Sequence, residues 1–149
     1  MKNSKKTISI ILVTLVLTRP PALAENTDNK EALYGFLAGH YLVIGKELNS
    51  DKTYFGQVVL AYKDRHLDVT RNVQGQVVTG EGKIEPALCS DAVNVLRVRF
   101  VQNDKNYEIT YLWQSDLDNY ARLTGYVYQP DKQTDTPGME ALFIDHHKW

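Results

Sequence analysis

Asp145, His146 and His147 stand side by side near the C-terminus, and each is a residue type that ligates metal. Neighbouring residues of an extended segment point to opposite faces, however, and no further Cys or His lies at a spacing that would complete a tetrahedral set. His40 and His66 could join only through the fold, so the tail reads as solvated and no metal is assigned. Nucleophilic catalysis asks for a Ser or Cys beside a His and an orienting acid. Ser50, Ser90 and Ser115 fall in loop segments, and none occupies a Gly-Xaa-Ser-Xaa-Gly elbow. Asp116 and Asp118 in "SDLD" form a carboxylate pair without the twelve-residue spacing of a calcium loop, and the "GEG" at 80–82 precedes no helix that could cradle phosphate. These spacings give no catalytic residue and no cofactor. Glu140 is more informative, because it sits in a strand-like run and, if turned inward, needs a cation. Arg71 and Arg122 are the two choices, and the pair is then either an internal brace or a polar anchor for a ligand.

The chain opens with Lys2, Lys5 and Lys6, followed by an apolar run from Ile8 to Leu17 and then "PPALA". About ten apolar residues are too few to span a bilayer, which takes roughly 20. Ala22 and Ala24 match the small-Xaa-small pattern of a signal peptidase site, so residues 1–24 read as a secretory signal peptide and residues 25–149 as a single domain. The expected location is periplasmic or secreted, with no membrane span. The whole chain has 17 basic and 18 acidic residues, and the leader takes four of the basic ones. What remains carries a net charge of about −5 with no basic cluster, which speaks against nucleic-acid binding. Cys89 is the one cysteine, so no internal disulfide can form, and a buried, inert thiol is expected.

The elements that must position any site are strands. "EALYGFLAG" places Ala32, Leu33, Phe36 and Leu37 at helical spacing with Gly35 interrupting, which predicts one or two helical turns over 31–38. From Gly39 onward the apolar period changes to two. Strands are expected at 40–45, 53–63, 66–73, 76–84, 93–102, 106–114, 119–128 and 139–145, separated by Asn-, Asp- and Gly-bearing turns. Without helical pattern between them, a parallel sheet is unexpected. Glycines inside the strands (Gly45, Gly56, Gly80, Gly82, Gly125) favour closure of the meander. The predicted fold is all-β, an eight-stranded antiparallel up-and-down barrel with a short N-terminal helical segment plugging one end.

Strand parity then assigns faces. Leu96, Val98 and Phe100 oppose Arg97 and Arg99, so the arginine face should meet solvent. Tyr107, Ile109, Tyr111 and Trp113 oppose Glu108 and Thr110. Tyr54, Gly56, Val58, Leu60 and Tyr62 oppose Gln57, and Leu67, Val69, Arg71 and Val73 oppose Asp68, Thr70 and Asn72. The inward set is rich in tyrosine and holds one arginine. An eight-stranded barrel lies between one filled by its own side chains and one that holds a small ligand, and ring-lined walls with few polar groups suit the latter. The ligand-binding residues expected on this basis are Tyr41, Tyr54, Arg71, Tyr107, Tyr111 and Trp113.

The helical lead followed by Gly39-His40-Tyr41 at the start of eight meander strands resembles the calycin superfamily, lipocalins and avidins, in which Gly-Xaa-Trp occupies this place. The chain is also similar to a group of small secreted bacterial domains with a Gly-Xaa-Tyr-Xaa-Val-Xaa-Gly opening. The matching positions are Gly39, Tyr41, Val43 and Gly45; Tyr54 and Gly56; Gly80 and Gly82; Leu123, Gly125 and Tyr126; and Gly138, Glu140 and Leu142. The resemblance implies the barrel; some members carry a fibronectin-binding label, while the ligand contacts of avidin have no counterpart here. The leading expectation is an exported, non-enzymatic protein holding a small apolar or aromatic molecule in the barrel. The alternative is an interaction module with a filled barrel that engages a protein partner such as a host component or an envelope enzyme; a barrel enzyme is the least favoured reading.

Overall fold

The computed structural model describes residues 25–88, 93–113 and 122–147. The expectations for the leader, Cys89, Ser90, Ser115, Asp116 and Asp118 fall outside these residues. One helix, α1 (Glu25–Leu37), precedes eight strands: β1 (Gly39–Lys46), β2 (Thr53–Lys63), β3 (His66–Val73), β4 (Gln76–Pro86), β5 (Asn94–Gln102), β6 (Lys105–Trp113), β7 (Leu123–Tyr128) and β8 (Gly138–Ile144). Each strand pairs antiparallel with the next, and β8 returns to β1, so the sheet is a closed barrel. Closure leaves no exposed edge to template aggregation.

Three hairpins fix the register. The two-residue turns Asp64-Arg65, Gln74-Gly75 and Asn103-Asp104 place both central residues at positive φ, between 46° and 79°. This left-handed pair matches the right-handed twist of the flanking strands. Burial follows the period-two reading through most of the barrel and breaks at Val95–Leu96 of β5 and Glu108–Ile109 of β6, where neighbours are both buried; Tyr41, Leu67, Leu96, Ile109, Tyr111, Leu123 and Leu142 are fully enclosed.

Some bounds differ from the sequence reading. β4 runs on to Pro86, and Val93, Arg122 and Asp145 lie outside the strands. The helix is longer than one or two turns: it starts at Glu25, in a polar stretch without apolar period. Its hold on the barrel comes from the C-terminal half, where Tyr34 and Leu37 are buried while Ala32 is exposed. The Tyr34 ring stacks on Tyr62 at 5.6 Å and its hydroxyl accepts the Ile84 amide at 3.0 Å. Helical spacing did single out Leu37, but Tyr34 owes its burial to the open end of the barrel beneath it.

The arginine face is only half open to solvent. Arg99 pairs with Glu85 and Glu108 at 2.7 Å each, and Arg97 donates to the Ala87 carbonyl at 2.7 Å. Glu108, on this outer face, is nonetheless buried, because the two arginines and the Tyr128 hydroxyl close over its carboxylate.

Candidate functional site

The centre of the barrel is one cross-strand row. Gly45 of β1 pairs with Tyr54 of β2 on one side and with Glu140 of β8 on the other; Gly125 of β7 pairs with Glu140 and with Tyr111 of β6. The order around the wall is therefore Tyr54, Gly45, Glu140, Gly125, Tyr111. Each glycine makes room for the ring beside it. A Cβ on Gly45 would overlap the Tyr54 ring, and one on Gly125 would lie 2.7 Å from Tyr111 Cδ1. The rings lie across the glycines, and both hydroxyls reach Glu140 and donate to it.

Arg71 reaches the same carboxylate from β3. Its Nη1 lies 2.9 Å from Glu140 Oε2 and its Nη2 binds Oε1, a bidentate pair. Nη1 is also 3.4 Å from the Tyr111 hydroxyl. Burial pushes the Glu140 carboxyl up, but the Arg71 charge and the hydrogen bonds from Arg71, Tyr111 and Tyr54 outweigh it and hold the group below the usual carboxylate range. Burial and the neighbouring carboxylate raise the pKa of Tyr54 and Tyr111, so both stay protonated donors. Of the two cations that could pair with Glu140, Arg71 does. Arg122 lies instead over the Phe36 ring at 4.5 Å and donates to the Phe36 carbonyl at 3.3 Å.

This cluster divides the interior. Towards α1 the interior is occupied by the buried side chains of Tyr34, Leu37, Tyr41, Leu67, Leu96 and Leu123. Tyr41 donates to the Leu37 carbonyl at 2.8 Å, with its hydroxyl pushed up to about 12 by burial, against a smaller lowering by Arg122. Trp113 packs half-buried against the same core. Towards the opposite mouth the space opens into a cup of about 230 Å³. Arg71 and Tyr54 line its floor. Phe100, Tyr107, Val73, Val78 and Val127 form the walls, and Gln74, Gln76, Gln102 and Asn103 stand at the rim. The guanidinium lies 4.9 Å from the Phe100 centroid, and Phe100 stacks on Tyr107 at 5.4 Å, so charge and rings form one pile from floor to mouth.

Of the six residues expected to bind a ligand, Tyr54, Arg71 and Tyr107 thus line the cup. Tyr111 lies in the cluster that supports it, and Tyr41 and Trp113 sit at the α1 end. Phe100 was placed on the inward face but not among the ligand-binding residues, and Val78 and the rim amides were not picked out by the sequence reading. The hairpin turns carry their signal: the two-residue loops after Val73 and Gln102 bring Gln76 and Gln102 to one rim, where Gln102 donates to Gln76 and Gln76 to Asn103 at 3.2 Å.

The C-terminal tail folds back on itself. The Asp145 amide donates to the His40 carbonyl at 2.8 Å, and its buried carboxylate accepts the His147 amide at 3.1 Å. His66 Nε2 meets Asp68 at 2.9 Å. Among the described residues, no group of three or more His, Cys, Asp and Glu side chains could hold a metal ion. No helix among them is long and apolar enough to cross a membrane. Comparison with known protein families finds none that matches the chain, and no curated protein matches it.

Proposed function

We propose that this chain is an exported, non-enzymatic binding protein of the calycin type that holds a small ring-bearing molecule in the cup above Arg71. One observation carries the reading. A buried arginine borders open space at the bottom of a ring-lined cup, where a barrel built only for stability would be filled by its own side chains. The volume sets the class of occupant. Benzene fits a cavity of about 150 Å³, whereas drug-sized ligands take roughly 300–1,000 Å³. A single substituted ring suits about 230 Å³, and a long acyl chain does not, because the Arg71–Glu140 cluster blocks the barrel below. Native mass spectrometry of the protein purified from its own host tests this. A retained small molecule is expected, and it should be absent from a Val78→Phe variant that fills the cup. A wild-type protein free of any small molecule under those conditions, and unresponsive to single-ring probes afterwards, would overturn the reading.

A second reading, a protein-interaction module, is favoured by the outside of the barrel. Phe55 pairs with Ile44, Ile44 with Ala141, Ala141 with Thr124 and Thr124 with Leu112, while Met139 pairs with Tyr126 in the adjacent row. Phe55, Ile44, Leu112, Tyr126 and Met139 are all exposed, so one apolar band crosses five strands. If this face is the working surface, Met139→Lys abolishes partner capture while leaving the cup and the stability intact.

A further inference from the structure

We infer that the cup selects a neutral ring carrying a hydrogen-bond acceptor, such as an amide, ester or ketone carbonyl, and discriminates against carboxylates and ammonium groups. This rests on the reading of the cup as a ligand site and adds the chemical class of its occupant.

The selectivity follows from which hydrogen bonds are already made. An ionised carboxylate offers about four acceptor positions. On Glu140 all four are taken, by Arg71 Nη1, Arg71 Nη2, Tyr54 and Tyr111. Glu140 therefore has nothing left for a ligand donor. A guanidinium offers five N–H donors. Three of those on Arg71 are directed at Glu140 and Tyr111. Nε and the second hydrogen on Nη2 have no acceptor among the described residues. Nor is Nε sealed off: the fully enclosed side-chain nitrogen or oxygen without a partner among the described residues is Arg97 Nε. Arg71 lines the cup, and Nε, neither partnered among the described residues nor fully enclosed, is the donor it has left for a ligand.

Charge completes the argument. The Arg71–Glu140 pair is neutral as a unit, so a carboxylate would bring one uncompensated negative charge into a half-enclosed space. Lys46 at the mouth does not offset it, because Asp51 pairs with its ammonium at 2.8 Å and Glu47, which also lines the cup, brings the opposite charge beside it. An ammonium group would likewise add one uncompensated charge at the floor, where it would meet the guanidinium N–H groups and find every acceptor position on Glu140 taken; the carboxylate of Glu47 stands at the mouth, away from that floor. A neutral carbonyl accepts from Arg71 without adding charge, and its ring extends the pile of Phe100 and Tyr107 between Val73, Val78 and Val127.

Four single-ring probes of similar size separate the possibilities: benzamide, benzoate, benzylamine (charged at neutral pH) and ethylbenzene, each titrated at pH 7 into the ¹⁵N-labelled full domain. Benzamide should bind at least tenfold more tightly than the other three, and it should shift the Arg71 Nε–Hε cross-peak together with Tyr107 and Val78 backbone signals. In an Arg71→Met/Glu140→Met variant, which keeps the volume and removes the donors, benzamide should lose its advantage over ethylbenzene. Benzoate binding as tightly as benzamide, or ethylbenzene equalling it in the wild type, would overturn the selectivity while leaving the cup a ligand site. Failure of all four to move any cup signal would overturn both. The wild-type panel decides the matter even if the double variant does not fold.

Discussion

Gly45 is the residue on which the cluster geometry turns. Its missing side chain lets the Tyr54 ring cross to Glu140, and any Cβ there would collide with that ring. Gly45→Ala should therefore displace Tyr54 and leave a buried hydroxyl and carboxylate short of one bond, at a cost of about 1–3 kcal/mol. Urea unfolding checks this, and the same substitution in a Tyr54→Leu background should cost clearly less, because the leucine leaves space for the methyl. Equal costs in the two backgrounds would mean that the ring is not what the glycine accommodates. Parts of this were legible in the sequence: the inward parity of Tyr54, Arg71 and Tyr111, the presence of Gly45 and Gly125 in strands, and the need of Glu140 for a cation. The choice between Arg71 and Arg122 was not legible, since β3 and β8 meet across the lumen rather than in the sheet. Only barrel closure brings them together.

Among the elements, α1 shows where local pattern stops being informative. Its first turns carry no apolar period, and what the structure uses is the plug formed by Tyr34 and Leu37. Gly35 lies on the exposed side of this helix with nothing within 4 Å of the position a Cβ would take. Gly35→Ala should stabilise the protein by about 0.5–1 kcal/mol, the cost of Gly relative to Ala in a helix interior, with an upward shift of the thermal midpoint as the readout. Leu37→Ala, by contrast, removes a fully buried side chain from the plug and should cost about 2–5 kcal/mol. The strands were easier to read than the helix, because alternation repeats over eight to eleven residues in the longer strands and the Asn-, Asp- and Gly-bearing turns bound them. How the tyrosines divide between the plugged end, the central cluster and the cup depends on register around the whole barrel, which no single strand encodes.

For the molecule as a whole, the buried cluster links stability to pH. The folded Glu140 carboxyl lies below its unfolded value of about 4.3. The unfolded chain then binds the proton more readily, so the contribution of the cluster is complete above that unfolded value and is lost as the pH falls through the folded one. Urea midpoints should show a downward limb below about pH 4 that shrinks in the Arg71→Met/Glu140→Met variant; an unchanged limb would place the acid sensitivity elsewhere. The cup itself exists because the cluster holds its floor against the packed half of the barrel. A double-mutant cycle on Arg71 and Glu140 tests that most directly, through the unfolding free energies of Arg71→Met, Glu140→Met and the pair together. Each single substitution strands a buried charge and should cost about 3–5 kcal/mol, and the double variant should lose less than the worse of the two. Additive losses would contradict it, since they would mean that the two side chains do not meet inside the barrel.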